Sequence, residues 1–178
     1  RAAVAGAILL AGGAAWAGKA DNTLNVALGA NVSTLDNYRE SDRGGLMLAR
    51  MIYDSLLNKD PQTNQFRPEL ATSYKLVGDK IIDFEIRKGV KFHDGTLLTA
   101  EDVAYTLNLV SSKEYNARYQ VAVDWIEKVE KTGDQSGRLH MKRPFAAALE
   151  MLAGNLPIYP RAYYAKVGAE GMAVKPIG

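Results

Sequence analysis

The sequence lacks cysteine altogether and has only two histidines, and these shortages exclude many catalytic and metal-binding chemistries. Without cysteine the chain has no disulfide, no thiolate nucleophile, no cysteine zinc cluster and no cysteine for a lipid anchor. With His93 and His140 as the only imidazoles, most histidine-based triads and multi-histidine metal sites are excluded. The Gly-x-Ser-x-Gly, His-Glu-x-x-His and Gly-x-Gly-x-x-Gly motifs are also missing. An active site therefore has few residues from which it could be built.

Net charge is also small. The 178 residues include 22 Lys and Arg against 20 Asp and Glu, which gives a net charge of +2. Charged residues make up 24% and hydrophobic residues 47% of the chain, a composition that excludes wholesale disorder, collagen and coiled coil. Because no dense basic block is present, we expect no nucleic-acid partner. The length allows one compact domain or a little more.

The N-terminal stretch differs in composition from the rest of the chain. From Ala2 to Ala17 there is no charged side chain, yet this run is shorter than the roughly 20 residues that a membrane-spanning helix needs. Arg1 fits the remnant of a basic n-region, and Ala15-Trp16-Ala17 fits a small-x-small cleavage site. We therefore expect residues 1–17 to be a signal peptide with a truncated n-region, and the mature protein to lie in the periplasm without a lipid anchor.

Strand-like and helix-like patterns alternate along the mature chain, which predicts a mixed α/β fold. Apolar residues at every second position indicate half-buried strands, and those at every third or fourth position indicate amphipathic helices. Thr99 followed by Asp102 matches a capping box, which predicts a helix that begins at Ala100. The other predicted elements are a strand at 23–29, a helix at 44–57 closed by a turn at 58–61, hairpins from 73–77 with 80–86 and from 125–131 with 138–142, and a helix from 145 to about 154.

Two adjacent pairs of residues could carry chemistry. His93 and Asp94 would point to opposite faces of a regular strand, so they could hold one metal only at a turn. Glu101 and Asp102 could be paired carboxylates, although the start of the predicted helix already accounts for them. An exported hydrolase or metal-dependent enzyme that uses these four residues stays open as an alternative.

Tyrosines and polar residues occupy two predicted loops, one at 38–42 and one that contains Tyr115 and Tyr119. A tyrosine offers an apolar face with a hydroxyl at its tip, which suits a cleft for a flexible ligand. Tyr115 and Tyr119, four positions apart, could equally pack on a core. A module whose exposed aromatic face binds another protein is a further open alternative.

Three central motifs follow one another with short spacers. They are Pro68-Glu69-Leu70-Ala71-Thr72-Ser73-Tyr74, the run from Ile82 to Thr96, and Leu98-Thr99-Ala100-Glu101-Asp102-Val103; the flanks add Ser33-Thr34-Leu35-Asp36, Ile52-Tyr53-Asp54-Ser55-Leu56 and Lys175-Pro176-Ile177-Gly178. In order, spacing and residue types, the chain from about Leu24 onward resembles the family 5 extracellular solute-binding proteins. Members of this family deliver peptides, nickel chelates and related solutes to ABC importers.

The resemblance implies a periplasmic-binding-protein fold of type II, in which two α/β lobes close on a solute. Because family members run much further, we expect a fragment: the N-terminal part of lobe I with its extra subdomain, and no second lobe. The implied division is 18–45 for the first strand and loop of lobe I, 46–160 for the extra α+β subdomain, and 161–178 for a return toward lobe I. Two departures are Asn37, where a proline is usual, and Gln135-Ser136-Gly137 before the strand at 138, which could weaken that hairpin.

The function that the resemblance implies is binding without chemistry. The protein would be the periplasmic substrate-binding component of an ABC importer, with a peptide or small-molecule solute and an inner-membrane permease and ATPase as partners, no cofactor or metal, and a monomeric state. The loop of Arg39, Glu40, Ser41 and Asp42 aligns with one that touches ligand in peptide-binding relatives, and Tyr115 aligns approximately with a ligand-facing tyrosine. We therefore expect these five residues to bind solute, and we expect this chain alone to bind peptides poorly.

Overall fold

The computed structural model describes residues 22, 27, 29, 32–40 and 42–178. The predicted signal peptide and most of the predicted strand at 23–29 lie outside these residues. The described elements are α1 (Arg43–Ile52), β1 (Leu57–Lys59), β2 (Phe66–Pro68), β3 (Ala71–Val77), β4 (Ile81–Ile86), α2 (Ala100–Ser111), a 3₁₀ turn (Gln120–Ala122), β5 (Ile126–Lys131), β6 (Ser136–Met141), α3 (Ala148–Leu152) and α4 (Arg161–Val174). In the ranges described, each helix is too short or too polar to cross a membrane.

A four-stranded antiparallel sheet forms the centre of the fold, in the strand order β3-β4-β6-β5. Both predicted hairpins are confirmed as β3 with β4 and β5 with β6. Ile82, Phe84 and Ile86 lie on the buried face of β4, as their alternation predicts. The mixed α/β architecture is therefore the one that the sequence indicates.

Helix α2 covers the sheet and begins where the capping box predicts. Thr99 N and Thr99 Oγ1 both donate hydrogen bonds to Asp102 Oδ2, at 2.9 and 2.8 Å, and the helix starts at Ala100. Val103, Leu107 and Val110 share one face and are completely buried. This face packs against β5, so local capping and long-range burial favour the same helix.

The prediction of a helix over 44–57 is wrong at its C-terminal end, because α1 ends at Ile52. Tyr53 is extended, and the backbone after it pairs with two other segments: Ile158 N donates to Asp54 O at 3.1 Å, and Leu70 N donates to Ser55 O at 3.1 Å. A helix at these positions would leave both contacts unmade. Leu57 then belongs to β1, which forms a two-stranded sheet with β2.

Two further helices differ from the sequence prediction. The helix expected from residue 145 spans only Ala148–Leu152, and Phe145 instead stacks on Trp125 with ring centroids 5.3 Å apart. The long helix α4 was not predicted at all. It contains a kink at Gly168, where φ is +63°, a conformation that favours glycine.

Candidate functional site

The structure brings two of the predicted solute-binding residues into contact. The guanidinium carbon of Arg39 lies 5.3 Å from the centroid of the Tyr115 ring, a cation–π distance. Arg39 is exposed, whereas Tyr115 is only 5% exposed. Arg39 therefore forms the outer surface at this point, and Tyr115 lies beneath it.

The other predicted residues of the loop differ in exposure. Glu40 is buried, and its carboxylate accepts hydrogen bonds from Asp42 N at 2.8 Å and from Ser33 Oγ at 3.4 Å. Gly45 packs so closely on Glu40 that a Cβ at position 45 would overlap the Glu40 side chain. Asp42 is exposed at the start of α1, and Ser41 lies outside the described residues. Glu40 thus stabilises the loop from within, while Arg39 and Asp42 face outward.

A buried carboxylate, Asp36, lies below this loop, and sequence reasoning gave it no role in the site. Tyr115 Oη donates to both carboxylate oxygens of Asp36, at 3.0 and 2.9 Å, and Tyr159 Oη donates to Oδ1 at 2.9 Å. Burial raises the pKa of Asp36 above its ordinary value, although the hydrogen bonds from Tyr159, Tyr115 and the Tyr38 backbone and the nearby charge of Arg39 all act to lower it. The only sequence signal that could have drawn attention to Asp36 was its place in the Ser33-Thr34-Leu35-Asp36 family motif.

Tyrosine side chains enclose Asp36. Tyr38 packs edge-on against both Tyr115 and Tyr159, with ring centroids 6.2 and 5.4 Å apart, and its hydroxyl donates to Pro157 O at 2.7 Å. Tyr53 Oη donates to Leu35 O at 3.0 Å. Burial raises the pKa of each of these phenols well above its usual value. They therefore act as neutral hydrogen-bond donors that attach the loop to the core.

Asn37, the departure from the usual proline, has a visible role in the same cluster. Its backbone N–H donates to Tyr159 Oη at 2.9 Å, a bond that proline could not make. Tyr159 Oη thus accepts from Asn37 while it donates to Asp36. Asparagine in place of the usual proline therefore adds a hydrogen bond between this loop and Tyr159.

A groove of about 370 Å³ opens beside the loop. Asn37 and Tyr38, the residues directly before Arg39, form one wall. Arg50 of α1 contributes a guanidinium whose Nη2 donates to Asn155 Oδ1 at 3.3 Å. The remaining walls are mostly apolar and include Leu46, Ala117, Tyr119, Val121, Ala122 and Met151. Mostly apolar walls with a few polar groups are typical of ligand pockets.

Of the four residues that could carry chemistry, His93, Asp94 and Asp102 make structural contacts. His93 Nδ1 accepts a hydrogen bond from Gly178 N at 3.2 Å, and Asp94 Oδ1 accepts from Thr96 N at 2.9 Å within a turn. Asp102 caps α2, whereas Glu101 is exposed on the first turn. Among the residues that the structure describes, no group of three His, Asp or Glu side chains could hold a metal ion.

Sequence comparison identifies the family. The sequence model described as "Bacterial extracellular solute-binding proteins, family 5 Middle" matches residues 65–178. The chain is 38% identical over 95 residues to the oligopeptide-binding protein AppA of Bacillus subtilis, which is 53% of this chain and 17% of that protein. It is 31% identical over 134 residues to the glutathione-binding protein GsiB of Escherichia coli K12, which is 72% of this chain and 25% of that protein.

Solved structures agree with this assignment. AgaA of A. tumefaciens R10 in complex with agropinic acid superimposes with a TM-score of 0.76 at 30% identity, over 84% of this chain and 30% of that one. AppA in complex with a nonapeptide gives a TM-score of 0.73 at 28% identity, over 84% and 30%. The chain thus spans about a quarter of GsiB and less than a third of these solved structures. The chain belongs to family 5 of the bacterial extracellular solute-binding proteins.

Proposed function

We propose that this chain is part of the first lobe of the substrate-binding protein of an ABC importer. The protein captures a peptide or a related small solute in the periplasm and delivers it to the permease and ATPase of the inner membrane. The names of its relatives support this range of solutes, since they bind oligopeptides, glutathione and agropinic acid. The mechanism is binding alone: two lobes close on the solute, and the closed form docks on the permease.

The layout that we propose divides the chain into four parts. Residues 1–17 direct export, 18–45 open the first lobe, 46–160 form the extra subdomain, and 161–178 return toward the first lobe. A hydrogen bond from Leu35 N to Ala173 O at 3.0 Å supports this return, because it joins the loop of the first part to the end of α4. The protein acts as a monomer without a cofactor.

The observation that carries the proposal is the exposed guanidinium of Arg39 on the Tyr115 ring, in the residue that directly follows Asn37 and Tyr38 of the groove wall. An exposed guanidinium suits the carboxylate or the backbone carbonyls of a peptide, while apolar walls suit its side chains. In this arrangement Arg39 and Asp42 contact the solute directly, and Ser41 lies between them in the same loop. Glu40 and Tyr115 support the contact from beneath.

Isothermal titration calorimetry on the whole protein that contains this chain tests the proposal. The solutes are trialanine, a nonapeptide, glutathione and agropinic acid, applied to the wild type, Arg39→Ala and Arg43→Ala. Arg43 is a matched control, because it is also exposed and begins α1 only four positions away. We expect at least one solute to bind, Arg39→Ala to weaken it more than tenfold, and Arg43→Ala to leave its affinity unchanged.

Other results would favour the alternatives. Turnover of a solute that disappears in His93→Ala would point to an enzyme. Binding of a folded protein without any small solute would point to an interaction module. Equal affinities of Arg39→Ala and wild type would remove Arg39 from the solute site.

A further inference from the structure

We propose that Asp36 is a positioning residue for solute capture, which holds Arg39 in place through Tyr115 and through the backbone of the loop. This inference rests on the proposed function, because it takes Arg39 as a solute contact. Asp36 is itself completely buried, so it cannot reach a solute directly. Its effect on binding must therefore pass through its neighbours.

The side-chain connection runs from Asp36 to Arg39 across a single ring. Tyr115 Oη donates to both oxygens of the Asp36 carboxylate, at 3.0 and 2.9 Å, which fixes the position of the phenol. The guanidinium of Arg39 rests on the face of that same ring, 5.3 Å from its centroid. A shift of Tyr115 would therefore move the surface on which Arg39 lies.

A second connection runs through the backbone. Asp36 O accepts hydrogen bonds from Arg39 N at 3.0 Å and from Glu40 N at 3.1 Å. Asp36 Oδ1 also accepts from Tyr38 N at 3.2 Å, the arrangement of an Asx-turn. One residue thus fixes both the main chain at Arg39 and the ring beneath its side chain.

The opposite side of Asp36 is attached to the rigid interior. Tyr159 Oη donates to Asp36 Oδ1 at 2.9 Å, and Tyr159 is completely buried and stacked on Tyr164 at 5.6 Å between centroids. The hydroxyl of Tyr159 also accepts the Asn37 N–H. Asp36 therefore holds the loop in a fixed position relative to the core.

A fixed guanidinium has a physical advantage for capture. Arginine has a long side chain, and ordering it on binding costs conformational entropy. An Arg39 that is already held on Tyr115 loses less of this entropy when a solute arrives. Removal of the Asp36 contacts should then weaken the contribution of Arg39 to binding, even if the fold persists.

Limited trypsin proteolysis of the whole protein, read by mass spectrometry, tests the positioning without any solute. Trypsin cleaves after arginine, so the rate of cleavage after Arg39 reports how often the loop opens, and cleavage after the exposed Arg87 reports the rest of the fold. We expect Asp36→Ala to raise the rate after Arg39 more than tenfold and to leave the rate after Arg87 unchanged. Asp36→Asn keeps one acceptor oxygen, so it should restore most of the protection.

A control and a fallback variant complete this measurement. Asp83→Ala removes a carboxylate that also accepts two hydrogen bonds, from Arg138 at 2.6 and 2.9 Å, but lies in the central sheet; it should leave the rate after Arg39 unchanged. Should Asp36→Ala not fold, Tyr115→Phe removes the hydroxyl that reaches Asp36 and keeps the ring, and a severalfold faster cleavage after Arg39 is expected.

A double-mutant cycle on affinity for trialanine and glutathione tests the link to capture. If Asp36 acts through Arg39, Asp36→Ala should weaken binding about tenfold in the wild type and less than twofold in the Arg39→Ala background. If Asp36→Ala weakens binding by the same factor in the wild type and in the Arg39→Ala background, the two residues act independently and the inference is overturned. Cleavage that rises equally after Arg39 and Arg87 would also overturn it. Both results would leave the proposed function standing. Unchanged affinity in Arg39→Ala would overturn the inference and would also remove Arg39 from the solute site.

Discussion

Asp102 Oδ1 accepts a hydrogen bond from the backbone N–H of Arg161 at 3.0 Å, so that one carboxylate joins the first turns of two helices. The other oxygen, Oδ2, accepts from the backbone and side chain of Thr99 at the start of α2. The N-terminal N–H groups of a helix have no partner within the helix, and a negative charge near them is favourable. Asp102 therefore fixes the start of α4 relative to α2.

Substitution of this carboxylate should be costly. We expect Asp102→Ala to lower the free energy of unfolding by about 1–2 kcal/mol, the range for loss of a helix cap. Glu101→Ala, on the same turn but exposed, should change it by less than about 0.5 kcal/mol. Urea denaturation of both variants measures the difference. Equal losses in the two variants would show that the helix dipole alone accounts for the effect, and not the hydrogen bonds of Asp102 to Thr99 and Arg161.

The same carboxylate marks the limit of what the sequence could predict. The bonds from Thr99 to Asp102 span three residues, so a local pattern was sufficient to place the start of α2 at Ala100. The partner on α4, Arg161, lies 59 residues away, and no local pattern contains it. Gly168 and Gly171 also lower the helix propensity of that segment, which explains why α4 was not predicted.

Strand β6 contains Gly137, one of the three residues that depart from the family pattern at 135–137. Gly137 pairs with Phe84 across the β4–β6 ladder, and a Cβ on Gly137 would overlap the Phe84 ring. Phe84 is only 3% exposed, so it has little space into which it could move. Glycine at position 137 thus leaves room for the Phe84 ring in the core, and β6 forms across the departure at 135–137.

We therefore expect Gly137→Ala to lower the free energy of unfolding by about 1–3 kcal/mol, the usual cost of overpacking a core. Gly133→Ala is the control, because its Cβ would meet only the small Ser136 hydroxyl, which can rotate away. Thermal unfolding followed by circular dichroism measures both. A Gly137→Ala protein as stable as the wild type would mean that Phe84 can repack without loss.

The ion pair between Asp83 and Arg138 should make stability depend on pH. Arg138 Nε and Nη2 donate to the two Asp83 oxygens at 2.6 and 2.9 Å, and these hydrogen bonds hold the pKa of Asp83 below its ordinary value. The stabilising effect of the ion pair is therefore present above about pH 4 and is lost as the pH falls through the lowered pKa of Asp83. Because both side chains are more than a third exposed, the effect should stay below about 1 kcal/mol.

Urea denaturation of the wild type and Asp83→Asn between pH 2.5 and 7 would show this dependence. We expect the wild type to be the more stable at pH 7 and the difference to shrink toward acid. Glu85→Gln, on the same outward face of β4 but without an ion pair to any of the described residues, is the control and should show no comparable change. A difference for Asp83→Asn that stays constant with pH would contradict the assigned pKa shift.

The candidate site was predictable only in part, for a similar reason of distance along the chain. Resemblance placed Arg39 and Tyr115 in one site, and the structure brings them together. The residue that links them, Asp36, bonds to partners 79 and 123 positions away, at Tyr115 and Tyr159. The Leu35-Asp36 motif marks this position, but a local pattern does not show that the carboxylate is buried between Tyr115 and Tyr159, so its role emerges only from the folded chain.

The buried Asp36 should affect stability with the opposite sign to Asp83. Burial raises the pKa of its carboxyl, so in the interval above about pH 4 the folded state binds more protons than the unfolded state. The folded state then loses stability as the pH rises through this interval, because an ionised carboxylate must remain buried. We expect the advantage of the wild type over Asp36→Asn to fall from pH 4 toward pH 7.

Urea denaturation over this range, with Asp83→Asn in parallel, tests the opposite signs within one protein. The phenols that face Asp36, on Tyr38, Tyr53, Tyr115 and Tyr159, have raised pKa values and stay neutral throughout, so they cannot produce the trend. An advantage of the wild type that grows with pH would mean that the hydrogen bonds and the charge of Arg39 outweigh burial. In that case the ionised Asp36 would stabilise the loop, and its pKa would be lowered and not raised.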